Sequence, residues 1–82
     1  MEKQYTSEDI ANRITKLCEK NNHDYITLSR KSGVPLTTIL NIVKCNSKNP
    51  GIFTILKLCK GLEIAPEDFF IGLKEERKNG SN

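Results

Sequence analysis

The side chains able to do covalent, acid–base or metal chemistry are few. They are Cys18, Cys45, Cys59 and His23, together with ten carboxylates. A metal site needs several of these converging, and spacings such as Cys-x-x-Cys usually announce it. No such spacing occurs, and two of the cysteines, Cys18 and Cys59, sit in apolar stripes. His23 lies in a polar loop-like stretch without a recognisable catalytic partner, and the carboxylates gather where helices are expected to end. No catalytic residue, metal ligand set or cofactor is therefore expected, and the chain does not read as an enzyme.

Hydrogen-bonding chemistry is concentrated in residues 32–51, SGVPLTTILNIVKCNSKNPG. Thr37 and Asn41 are four residues apart, as are Leu36 and Leu40, so each pair falls one helical turn apart. Lys44, Asn46, Ser47 and Lys48 follow, a run of ammonium, amide and hydroxyl groups. The stretch has no acid. Over residues 25–62 there are six basic residues (Arg30, Lys31, Lys44, Lys48, Lys57, Lys60) and no Asp or Glu. All ten acids lie before or after it. The net charge of +3 decides little by itself. A central block of one sign, however, reads as a surface for a polyanion.

The elements that must position these residues follow from periodicity and punctuation. Thr6 or Ser7 can cap a first helix, with Glu8 and Asp9 in its positive first turn. Ile10, Ile14, Leu17 and Cys18 then form one apolar stripe, and the helix should end near the asparagines of KNNH. Asp24 can cap a short second helix over 25–32, with Leu28 facing inward and Ile26 or Tyr25 beside it. Gly33 suits its left-handed end. Pro35 suits the first position of a third helix over 35–44, in which Ile39, Ile42 and Val43 face the core. That leaves Leu36, Thr37, Leu40, Asn41 and Lys44 outside. CNSKNPG reads as a loop. A fourth helix over 52–60 should turn Ile52, Ile55, Leu56, Cys59 and Leu62 inward and end at Gly61. A fifth should start at Pro66 and carry Phe69, Phe70 and Leu73.

No segment alternates with period two for long, so the fold class is all-α. The 82 residues suit a single domain, with a core over about 7–74 and flexible ends at 1–5 and 75–82. An odd number of cysteines without paired spacing points to a reducing cytoplasm rather than a disulfide framework. No apolar run approaches the ~20 residues a membrane span needs, and the first residues lack the apolar core of a signal peptide.

The stretch YITLSRKSGVPLTTILNIVKCNSKNPGIFTILKLCKGLEIAPEDFF resembles the helix-turn-helix domain of lambda repressor/Cro type, the XRE family. Leu28, Gly33-Val34, Ile39, Ile42, Asn49-Pro50 and TILKLCKGLEI carry the resemblance. It implies a compact five-helix fold whose second and third helices form the helix-turn-helix. It also implies sequence-specific binding of double-stranded DNA by a transcriptional regulator, with a repressor the expected sign.

At positions matching the family pattern, Leu36, Thr37 and Asn41 would read bases, with Leu40 able to pack on thymine methyls. Tyr25, Thr38, Lys44, Asn46, Ser47 and Lys48 would meet the sugar-phosphate backbone. A half-buried core ring is the alternative for Tyr25. The resemblance further implies a homodimer on a near-palindromic operator. Phe69, Phe70, Ile71 and Leu73 are the candidate interface, although some of them must close the core. The competing reading is a protein-interaction module, such as an antitoxin, that binds another regulator through the same helices.

Two departures from the family pattern stand out. An Arg–Glu pair common in relatives is replaced by Cys18 and Val43, which are expected to meet as apolar groups. Cys45 stands where relatives often have glycine, so either it is a strained left-handed residue or the helix ends differently.

Overall fold

The computed structural model describes residues 5–47 and 49–80, with side chains described through residue 75. Among the described residues it contains five helices and no strand: α1 (Ser7–Lys20), α2 (Tyr25–Ser32), α3 (Leu36–Val43), α4 (Ile52–Gly61) and α5 (Pro66–Gly80). α2 packs on α4 and α3, α1 on α3 and α5, and α4 on α5.

Local chemistry explains where each helix begins. The Thr6 N–H donates to the Asp9 carboxylate at 2.8 Å, which selects Thr6 over Ser7 as the cap of α1. Asp24 accepts the Thr27 N–H at 2.8 Å and starts α2. Pro35 is not the first residue of α3 but its cap, in an extended conformation (φ −56°, ψ 142°), so α3 starts one residue later than expected.

The ends are more unusual. α1, α3 and α4 all close in the same way. The residue three past the helix donates its N–H five positions back, and the residue before it takes positive φ. The five-back bonds are His23 to Cys18, Asn46 to Asn41 and Ile64 to Cys59, at 2.9, 2.8 and 3.0 Å. The positive-φ residues are Asn22 (58°), Cys45 (62°) and Glu63 (57°). None is glycine, although this conformation normally costs a side-chain-bearing residue about 1–2 kcal/mol.

The core is built from Ile14, Leu17, Cys18, Leu28, Val34, Ile39, Ile42, Ile55, Leu58, Cys59, Leu62 and Phe69. Cys18 is buried within it and Val43 packs against it, so the two residues expected to meet as apolar groups belong to one apolar core. Tyr25, not Ile26, is the second inward residue of α2; Ile26 is exposed.

Ile52 and Leu56 are exposed, and Leu58, overlooked in the sequence, is fully buried in the core. Ile55, Leu58, Cys59 and Leu62 make the true inward face. Gly61 does not end the helix through conformational freedom. It is buried where α4 meets α2, and a Cβ there would lie 2.8 Å from Ser32 Cβ and 2.9 Å from Ser32 N. The left-handed residue that ends α4 is Glu63.

Candidate nucleic-acid interface

The α2–α3 turn is closely specified. Gly33 has φ 77° and donates its N–H to Ser29 O at 2.9 Å. Ser29 Oγ donates to the Val34 carbonyl at 2.6 Å, and Ser32 Oγ accepts the Val34 N–H at 3.1 Å. Val34, Ile39 and Ile42 are buried and anchor α3 from beneath. A short helix held this firmly presents one constant outer face.

On that face Thr37 and Asn41 are exposed, and Leu36, Thr38 and Leu40 are partly exposed. Thr37 and Asn41 therefore stand together, one turn apart, free to donate and accept hydrogen bonds. Lys44 caps the C-terminal end of α3 and is exposed. Beyond it the chain doubles back. The N–H groups of Asn46 and Ser47 both bond to Asn41 O, at 2.8 and 3.1 Å. This holds exposed Asn46 and half-exposed Ser47 at the end of the same helix. Lys48 lies outside the described residues.

Tyr25 sits at the start of α2, half-buried against the core. Its hydroxyl shares a hydrogen bond with Thr15 Oγ at 3.1 Å. The ring is thus a packing element, and Thr15 competes for the hydroxyl. A phosphate contact by Tyr25 remains chemically open only through the phenol's second hydrogen-bonding capacity.

Arg30 and Lys31 of α2 and Lys57 and Lys60 of α4 are exposed. One acid approaches the block: Glu63 pairs with Lys31 at 3.0 Å. The hydrogen bond and charge of Lys31 hold the Glu63 carboxyl below its ordinary value. Its negative charge is thereby matched locally by Lys31.

The cysteines are dispersed. Cys18 and Cys59 are buried, and burial pushes both thiols up, which keeps them neutral and unreactive. Cys45 is half-buried at the end of α3. Among the described residues no group of three or more His, Cys, Asp or Glu stands close enough to hold a metal ion. Nor, among them, is any helix long and apolar enough to cross a membrane.

The candidate dimer residues divide. Phe69 and Leu73 are buried, 0% and 5% exposed, and close the core between α5 and the other helices, so neither can form an interface. Phe70 and Ile71 are exposed. The structure adds Ile52, Phe53 and Leu56 of α4 as exposed apolar neighbours, with Phe53 the most open at 75%. Phe70 and Ile52 line one open cleft of about 360 Å³ together with Tyr5, Ile10 and Pro50. The signal for this face was present in the sequence, since Ile52, Phe53 and Leu56 exceed what one inward stripe can use.

Arg13 was also missed. Its Nε donates to Phe69 O at 3.0 Å and Nη2 to Asp68 O at 3.1 Å, tying α1 to the first turn of α5. The guanidinium fills the space over Gly72, where any Cβ would collide with it. An Arg and a distant glycine carry no pairing signal along the chain.

The Cro/C1-type helix-turn-helix DNA-binding domain matches residues 13–72. Among solved structures, the wild-type restriction-modification controller protein C.Esp1396I is 26% identical, with a TM-score of 0.82, over 94% of this chain and 99% of that one. The tetramer of the same controller in complex with its natural 35 base-pair operator gives 27% identity and a TM-score of 0.80, over 90% and 96%. No curated protein matches the sequence.

Proposed function

Because the chain belongs to the Cro/C1-type helix-turn-helix DNA-binding family, we propose that it represses transcription by docking α3 in the major groove of a near-palindromic operator. The observation that carries this is the exposed Thr37–Asn41 pair on a rigidly held, acid-free helix. Hydroxyl and amide groups at that spacing suit base edges, with Asn able to make two bonds to adenine. Thr38, Lys44, Asn46, Ser47 and Lys48 grip phosphates beside them, and Tyr25 contributes where its hydroxyl is not held by Thr15. The free thiols suit a reducing cytoplasm.

One α3 of eight residues spans only a few base pairs. Two copies related by a two-fold axis would place their recognition helices about 34 Å apart on successive turns of one DNA face. The exposed apolar residues Ile52, Phe53, Leu56, Phe70 and Ile71 are the surface we assign to that pairing. The likeness to a controller that binds its operator as a tetramer supports assembly of more than one copy on DNA.

A gel shift against a randomised palindrome library, at low and high salt, tests the reading. Saturable, sequence-dependent binding that weakens steeply with salt is expected. Failure to select any DNA, with retention of a partner protein instead, would favour a protein-interaction module.

A further inference from the structure

α3 reads LTTILNIV, and its outer face offers an unusual set of groups. It has no Arg or Lys, the side chains that best match the two major-groove acceptors of guanine. It has no Asp or Glu to accept from the cytosine amino group. What remains is one amide (Asn41), two hydroxyls with methyls (Thr37, Thr38) and two branched alkyl groups (Leu36, Leu40). Leu36 and Leu40 are partly exposed, whereas Ile39 and Ile42 are 0% and 1% exposed. Neither leucine belongs to the core cluster or to the described apolar side chains packed against it. Each retains apolar surface on the face that carries Thr37 and Asn41. The nearest cation on the chain, Lys44, caps the far end of the helix and leads into the phosphate-gripping loop.

We propose that the base pairs read by α3 are all A·T, selected chiefly through thymine methyl groups packed on Leu36 and Leu40, with Asn41 paired to an adenine. The inference rests on the docking of α3 in the major groove. The thymine C5-methyl is the one apolar feature of that groove, and it is absent from uracil and cytosine. Leucines that would be wasted on polar base edges gain from contact with it. Asn41 then sets the register, because only adenine offers its amide a matched acceptor and donor.

The test uses the full chain and duplex DNA. Selection from a random duplex library should return half-sites whose α3-contacted positions are A·T. Replacing a contacted thymine by uracil, which removes the methyl and leaves the pairing unchanged, should weaken binding about fourfold for each methyl lost. Each of Leu36→Ala and Leu40→Ala should reduce the discrimination between thymine and uracil duplexes, and the protein carrying both should bind the two alike. The uracil measurement on the unaltered protein does not depend on whether those variants fold. A required G·C pair at a position contacted by α3, or equal affinity for thymine and uracil duplexes, would overturn the proposal while leaving groove binding intact. Binding without any sequence preference would remove the groove reading itself, and this inference with it.

Discussion

Asn41 and Cys45 are four residues apart and show opposite uses of a side chain. Asn41 is exposed, while its carbonyl receives two backbone N–H groups that close the helix. Its amide is therefore available to a ligand without disturbing the fold. Asn41→Ala should lower affinity for the selected operator by about 1–3 kcal/mol and leave nonspecific DNA binding nearly unchanged. Titrations on both DNAs check this, and equal loss on both would count against base reading. Cys45 holds a left-handed conformation at φ 62°. Cys45→Gly removes the steric cost but loosens the unfolded chain, so a net gain of about 0.5–1 kcal/mol is expected in denaturant melts. A loss of stability would show that the Cys45 side chain contributes packing that outweighs its strain.

At the scale of elements, the close approach of α4 to α2 depends on Gly61. A methyl there meets Ser32 backbone atoms, which cannot move without shifting α2 and hence the turn that aims α3. Gly61→Ala should destabilise the domain by about 1–3 kcal/mol, despite the higher helix propensity of alanine. Thermal melting decides the sign. The start of α2 and the end of α4 also share an acid sensitivity. The Thr27 backbone N–H holds the Asp24 carboxyl below its ordinary 3.8, and Lys31 holds Glu63 below its ordinary 4.5. Both carboxyls are depressed in the folded state. Their contribution is thus fully present above those ordinary values and is lost as pH falls through the lower folded values. Melting midpoints should drop on that acid limb, and the drop should be smaller in Asp24→Asn and Glu63→Gln proteins.

For the whole molecule, the question is how a short reading helix gains enough specificity. Five exposed apolar residues on α4 and α5 are more than a small surface needs, and two of them share a cleft. Replacing Phe70 and Ile71 with glutamate should shift the sedimentation of the protein from dimer to monomer. It should also abolish the preference for palindromic over single half-site DNA, with helical content retained because neither side chain is in the core. Unchanged sedimentation would exclude this face as the interface. Phe69 and Leu73, the other members of the original set, are buried. Replacing them would unfold the domain rather than separate copies.

Periodicity, caps and the long acid-free interval are local properties, and they were enough to determine the five helices, the inward residues of α3, those of α1 apart from Ala11, and the outer face carrying Thr37 and Asn41. The strain at Cys45 was indicated by the resemblance, because relatives often have glycine at that position, and Cys45 does take φ 62°. Tertiary structure decided what depends on contacts between distant segments. Phe69 rather than Phe70 enters the core, Leu58 displaces Leu56 on α4, and Tyr25 turns its hydroxyl to Thr15. Gly61, the last residue of α4, permits the close approach to α2, and Glu63 takes the left-handed position beyond it. In each case two residues satisfy the same local rule. The choice falls to whichever partner occupies the space, and linear spacing carries no record of that partner.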